Sequence, residues 1–216
     1  MGLDSGYPRI TISGARGIIG EDLTVANAQR MAWAYASYIR GGDVIVGRDA
    51  RPTGEMIRCA VISGLLAGGC NVIDLGLVPT PTVGIMIREH EARGGIAITA
   101  SHNPVPWNAL KLFAEDGTFP TQDFVDGYIQ HLHTGQWKHG HWDTIGKLTE
   151  NPTALATHLD YVCRAIDFTK IQKKGLKVVI DGCRSVGGIY LPALLRELGC
   201  TVFELDCQPD GCFTRG

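Results

Sequence analysis

The sequence predicts an α/β fold: a mixed, mostly parallel sheet covered by helices on both faces, followed by the start of a second α/β domain. Three observations predict it. Short apolar, β-branched runs alternate with segments of helical hydrophobic period, the pattern that builds βαβ crossovers. Glycine supplies 28 of 216 residues, above the ~7% average, and it collects at the ends of those segments, where tight connections need it. The alternation also restarts after residue 150, so residues 1–150 read as one domain and residues 151–216 as the beginning of another.

The elements follow in order. Residues 24–40 read as the first helix, because Val25, Ala28, Met31, Ala32, Tyr35, Ala36 and Ile39 recur at helical spacing. Thr24 can cap its start and Gly41-Gly42 ends it. Residues 43–47 form a short strand, with Arg48-Asp49-Ala50-Arg51-Pro52 at its end. Residues 54–69 are a second helix, apolar on most sides and so well buried. Residues 71–75 are a strand, 82–89 a short helix, and 95 onward a buried strand. That last strand must stop by Asn103, because Pro104 and Pro106 remove ladder donors and force extended backbone before them. The apolar run resumes at 110–114, and Asp116-Gly117 closes it with a turn.

Residues 128–147 hold His131, His133, His139 and His141 with Trp137 and Trp142. Paired His-x-His spacing can take up a metal, but a surface helix end followed by a loop or hairpin accounts for the segment. Residues 151–167 read as a helix with Pro152 in its first turn and Leu155, Leu159, Val162, Cys163 and Ile166 on one stripe. A polar break at 170–175 leads to a strand at 176–181, a helix at 186–198 and a strand at 200–206. Two strands bury too little to stand as an independent domain.

Composition excludes several classes. With 44% hydrophobic residues, 19% charged residues and a net charge of −2, there is neither a nucleic-acid footprint nor a disordered tail. No apolar run approaches the ~20 residues of a membrane span, and no basic-then-apolar signal opens the chain. Seven cysteines, Cys59, Cys70, Cys163, Cys183, Cys200, Cys207 and Cys212, are odd in number, and several sit in apolar runs. They argue for reduced thiols in the cytoplasm rather than a disulfide framework. Cys207 and Cys212 have a spacing that could hold zinc, but no second pair of the usual form accompanies them.

The chemistry-bearing stretch is residues 95–114. Ser101, His102, Asn103 and Lys111 lie on or beside a proline-stiffened loop leaving a strand end, which in an open α/β sheet is where ligands bind. The Ser101 hydroxyl needs activation as a nucleophile, or can carry a phosphoryl group. His102 and Lys111 supply cations, and either could act as acid or base. Asn103 can fix loop geometry through its own backbone. Phosphoryl transfer asks for such positioning and positive charge. A surface turn beside a solvated lysine is the plainer alternative. Arg16, Arg48 and Arg51 could face Ser101 as bidentate phosphate ligands, or pair on the surface with Asp22, Asp49 or Glu55.

Thr99-Ala100-Ser101-His102-Asn103-Pro104, followed by Asn108-Ala109-Leu110-Lys111, resembles the phosphoserine loop of the α-D-phosphohexomutase family (phosphoglucomutase, phosphomannomutase and phosphoglucosamine mutase). Ser13-Gly14-Ala15-Arg16-Gly17-Ile18-Ile19-Gly20 resembles that family's N-terminal arginine loop, Val46-Gly47-Arg48-Asp49-Ala50-Arg51 its second basic loop, and Val78-Pro79-Thr80-Pro81-Thr82 its strand-to-helix connection. The likeness covers essentially the whole chain, but only the front part of a family member.

The resemblance implies reversible transfer between hexose 1-phosphate and hexose 6-phosphate through phosphorylated Ser101 and a bisphosphorylated sugar. It implies Ser101, His102 and Lys111 as catalytic residues, with Lys111 the base for the attacking hydroxyl. Arg16, Asn103 and Arg48 would bind phosphate, Arg16 approaching the phosphoserine while Arg48 and Asp49 brace the loop. It also implies magnesium, for which this sequence offers Ser101 through its phosphate and little else: the Asp-Gly-Asp-x-Asp-Arg run of relatives is absent, and Asp181-Gly182 does not replace it. The sequence therefore reads as the N-terminal part of a mutase, itself inactive, whose partners are a hexose phosphate and the missing C-terminal domains. Two alternatives stand beside it. One is a non-catalytic sugar-phosphate-binding or interaction fragment. The other is a serine hydrolase, which adjacent Ser101 and His102 without a Gly-x-Ser-x-Gly elbow make a poor fit. The sugar is not readable, although the 13–20 and 108–111 segments lean toward the phosphoglucosamine or phosphomannomutase branch.

Overall fold

The computed structural model describes residues 6–213. Its first eleven elements build one sheet with its cover. Two antiparallel strands, β1 (Ile10–Thr11) and β2 (Gly14–Ile18), precede helix α1 (Val25–Tyr38) and strand β3 (Gly42–Arg48). Helix α2 (Gly54–Ala67), strand β4 (Cys70–Leu77), helix α3 (Thr80–Glu89) and strand β5 (Gly94–Ile98) continue the alternation. Strand β6 (Trp107–Phe113), helix α4 (Gln122–Thr134) and strand β7 (Leu148–Glu150) complete this part.

The seven strands lie in the order β1-β2-β6-β5-β3-β4-β7. Strands β7, β4, β3 and β5 are mutually parallel, as the βαβ alternation demands, whereas β5–β6, β6–β2 and β2–β1 are antiparallel. The sheet is thus mixed, with β2 running the same way as the parallel block. Strand period 2 sorts the core into two layers. Val44 and Val46 of β3 point into the cluster beneath α1, α2 and α4, while Ile45 between them joins the opposite cluster with Val83, Met86 and Ile87 of α3. Helices α1 and α2 touch closely enough that a Cβ on Gly64 would lie 2.3 Å from the Gln29 carbonyl oxygen, so that crossing requires glycine.

Two local expectations are corrected, for Arg16 and for the start of the strand after the serine loop. Arg16 is not in a loop: Gly14–Ile18 is strand β2, with Arg16 opposite Ala109. The strand after the serine loop begins at Trp107 rather than residue 110. One element is added: residues 148–150 form a short edge strand on β4 that no sequence pattern announced. The histidine-rich segment is the helix end and loop that the sequence indicated, the end of α4 and a strap over α1. There His131 meets the Ser37 hydroxyl at 3.0 Å, His139 sits edge-on to Trp33 at 4.3 Å, and the Trp33 indole donates to the Lys138 carbonyl at 2.8 Å.

The remaining elements are α5 (Ala154–Ala165), α6 (Phe168–Gln172), β8 (Lys177–Asp181), α7 (Gly187–Glu197) and β9 (Thr201–Leu205). Helix α6 occupies the start of the expected polar break. Strands β8 and β9 pair in parallel around α7 as one βαβ unit. This unit meets the first sheet's cover through α5. There buried His158 bonds Thr82 of α3 at 2.8 Å and stacks on Tyr190 of α7 at 4.4 Å between centroids. No helix among the described residues is long and apolar enough to cross a membrane.

Candidate active site

Because β3 and β5 are parallel neighbours with Arg48 opposite Ile98, the segments leaving their C-terminal ends, residues 49–52 and 99–106, must lie side by side. Asp49 N–H donates to the Ile98 carbonyl at 3.1 Å, which continues the ladder one step past the strands. The chain then turns at residues 100–103, where Asn103 N–H donates to the Ala100 carbonyl at 3.1 Å. Ser101 stands at the tip, exposed, with φ +56°. A left-handed backbone on a residue with a Cβ is costly and persists only where surrounding contacts hold it.

Arg51 provides those contacts. Its side chain is 1% exposed, and all five of its N–H donors have partners. One terminal nitrogen donates to the carbonyls of Ser101 (3.0 Å) and Asn103 (2.8 Å), the other to those of Pro104 and Trp107 (2.9 Å each), and Nε to Asp49 Oδ2 (3.2 Å). Burial pulls its pKa down, and the Asp49 carboxylate opposes that shift. Asp49 Oδ2 also accepts from the Thr99 hydroxyl at 2.6 Å and Oδ1 from Arg51 N–H at 3.0 Å. The serine turn is therefore held from below by a buried ion pair whose partners are all satisfied.

Around this turn the structure brings together most of the residues expected there. Arg16 reaches across from β2 and donates to Asn103 Oδ1 at 3.1 Å, with its Nε buried and unpartnered. The Ser101 hydroxyl and His102 Nδ1 are 3.5 Å apart, at the outer limit of a hydrogen bond. Lys111 shares the α3 face of the sheet with Arg16, opposite Ala97, and its ammonium lies 5.8 Å from the Phe119 ring centre. It is largely buried, and its pKa is lowered first by that burial and then by the Arg16 charge, against a smaller pull from Asp49. Arg48 turns elsewhere: it pairs with Glu55 at 3.1 Å, donates to the Asp49 carbonyl at 3.2 Å and lines a separate cavity with Arg58 and Asp74.

Ser101, His102 and Asn103 open onto a cavity of about 670 Å³. Its far wall is Cys183, Ser185 and Phe213 from the second unit, none of which sequence reasoning placed here. The sequence offers Arg51 beside Arg16 and Arg48 without setting it apart. The signal that could single it out is the Asp49-x-Arg51 pair directly after a strand, in which a buried cation needs a buried partner. The described residues do not assemble a magnesium site. Asp49 is the carboxylate lining the cavity, both its oxygens already accept hydrogen bonds, and no cluster of three or more His, Cys, Asp or Glu gathers among the described residues.

Comparison with known proteins agrees along the chain. The family model described as phosphoglucomutase/phosphomannomutase, alpha/beta/alpha domain I, matches residues 10–138, and the one for alpha/beta/alpha domain II matches residues 156–216. The chain is 39% identical over 201 residues to a probable phosphoglucosamine mutase of Methanopyrus kandleri, covering 93% of this chain and 44% of that protein. It is 36% identical over 206 residues to a phosphoglucomutase/phosphomannomutase of Thermococcus kodakarensis, covering 93% and 45%. A solved putative phosphomannomutase from Thermus thermophilus superposes with a TM-score of 0.83 at 26% identity, over 95% of this chain and 47% of that one. A family protein from Burkholderia thailandensis gives 0.81 at 27%, over 96% and 46%. The chain thus spans less than half the length of these relatives.

Proposed function

The chain belongs to the phosphoglucomutase/phosphomannomutase family, and from that premise we propose that it carries the phosphoserine of a phosphohexomutase interconverting hexose 1-phosphate and hexose 6-phosphate. The observation that carries this is the Ser101 hydroxyl, held outward on a left-handed backbone by the Arg51 clamp at the mouth of a cavity. A hydroxyl so fixed can receive and return a phosphoryl group without reorganising its loop.

In the forward step, the bond between Ser101 Oγ and phosphorus breaks while a sugar hydroxyl oxygen bonds to the same phosphorus. The hydroxyl proton passes to neutral Lys111, whose lowered pKa enlarges the neutral fraction available as a base. The bisphosphorylated sugar then turns over and returns its other phosphoryl group to Ser101. Arg16 offsets the phosphate charge beside Asn103, and His102 lies close enough to Oγ to assist charge and proton traffic. The placement of Arg48 on Glu55 favours a bracing role in the 48–55 loop over direct phosphate contact.

Magnesium, which the family likeness implies, would take from this chain at most Ser101 and its phosphate, so no step is assigned to it. The remaining ligands and the sugar-reading residues belong, on this proposal, to further domains of the protein, with the boundary between the first two near residue 150. The relative named probable phosphoglucosamine mutase favours an amino-sugar phosphate, while the 36% identical phosphoglucomutase/phosphomannomutase keeps the class at hexose phosphates. The odd number of cysteines, several of them in apolar runs, supports a reducing, cytoplasmic setting.

The test is turnover of a chimera joining this chain in frame to the C-terminal remainder of the Methanopyrus kandleri relative. Ser101→Ala should abolish interconversion of hexose 1- and 6-phosphates. An alanine variant that turns over at the parent rate would overturn the proposal.

A further inference from the structure

The five N–H donors of Arg51 all lie in the guanidinium plane and are all engaged, so only the two faces of that plane remain to interact. An aromatic ring from the other end of the chain meets the cation: the central guanidinium carbon lies over the Phe213 ring, 5.1 Å from its centroid. The segment that delivers Phe213 is itself firmly placed. Arg184 pairs with Asp206 and Asp210, and Gly211 N–H donates to the Arg184 carbonyl at 2.9 Å. Phe213 N–H donates to the Gly211 carbonyl at 2.9 Å. Gly211, at φ +72°, is pressed so tightly onto the 50–52 loop that a Cβ there would sit 2.0 Å from the Ala50 carbonyl oxygen and 3.0 Å from Pro52. The contact is therefore built by two separate features, a glycine that permits the approach and an aromatic that ends on the cation.

We infer that Phe213 is a positioning residue for the Ser101 turn: its ring seals the Arg51 guanidinium from water, so that the second unit governs how firmly the turn is held. The physical reason is desolvation. Water reaching the guanidinium would solvate the cation and compete with the four backbone carbonyls it grips, whereas an aromatic face excludes water and attracts the charge. Cation–π attraction needs the ring, so aliphatic bulk alone does not reproduce it. The coupling itself concerns loop order; its bearing on catalysis rests on the phosphoserine role proposed for Ser101.

Hydrogen exchange on this 216-residue chain tests the coupling without requiring activity. Phe213→Ala and Phe213→Leu should speed exchange of the Asn103 and Trp107 amides roughly two- to thirtyfold, the range of a cation–π contact, and leave Ile96 in the sheet core unchanged. Phe213→Trp should restore the slow rates. In an Arg51→Lys background, which removes the fork that grips the carbonyls, the Phe213 substitutions should add nothing further. Loop amides that keep parent rates in Phe213→Ala would overturn the inference. So would leucine restoring slow exchange as well as tryptophan, or core amides accelerating in parallel. If exchange behaves as expected but the Ser101→Ala chimera still turns over, the positioning stands and the phosphoserine role fails.

Discussion

Ser101 occupies a conformation that most L-residues avoid, and its hydroxyl is the one proposed to carry the phosphoryl group. Its φ of +56° has a cost, and the Arg51 clamp on the Ser101 and Asn103 carbonyls keeps it in place. This separates stability from function at a single position. Ser101→Gly should raise unfolding free energy by about 0.5 kcal/mol relative to Ser101→Ala, since ~1 kcal/mol of left-handed strain is relieved and ~0.5 kcal/mol of unfolded-chain entropy opposes it. Side-by-side urea titrations measure the difference, and a glycine variant less stable than the alanine one would contradict the strain. At this scale Ser101, His102, Asn103 and Lys111 were legible in sequence because they are close in the chain. The role of Arg51 was not, because the carbonyls it grips lie 50 to 56 residues away and offer no side-chain signal.

Among the elements, legibility followed burial and period. Helix α1, with Ala28, Met31, Ala32 and Tyr35 on one buried stripe, and β3, with its continuous Val44-Ile45-Val46, declared themselves. Strand β2 did not. Gly14-Ala15-Arg16-Gly17-Ile18 has two glycines and a cation, a poor strand composition, and only its pairing with β6 extends it. That correction matters, since a strand aims Arg16 at Asn103 more rigidly than a loop would.

The α5 joint makes its own prediction. His158 bonds Thr82 and stacks on Tyr190, and burial holds its pKa below the ordinary 6.5. The unfolded chain therefore binds the proton more readily than the folded one. The stabilisation is complete above the ordinary value, declines as pH falls below it, and levels off once pH is under the depressed folded value. The urea midpoint should accordingly fall on acidification from about pH 8 to about pH 5, and His158→Gln should flatten that fall. Equal slopes in parent and variant would exclude His158 as the cause.

Across the whole molecule, the candidate site lies where two sheets of different size present their strand ends to one cavity. The first contributes the serine turn and its clamp; the second contributes Cys183, Ser185 and Phe213. The alternation of apolar runs made the α/β class readable from sequence. The docking of one unit on the other was not readable, because it depends on a glycine contact and a ring-on-cation contact between residues roughly 160 positions apart. Locating the phosphoryl group decides whether Ser101 carries it. The chimera with the Methanopyrus kandleri remainder is incubated with a hexose 1,6-bisphosphate, digested and mapped by mass spectrometry. One phosphoryl group is expected, on the peptide containing Ser101 and absent from Ser101→Ala; a chimera that turns over with that peptide unmodified throughout would contradict the phosphoserine role.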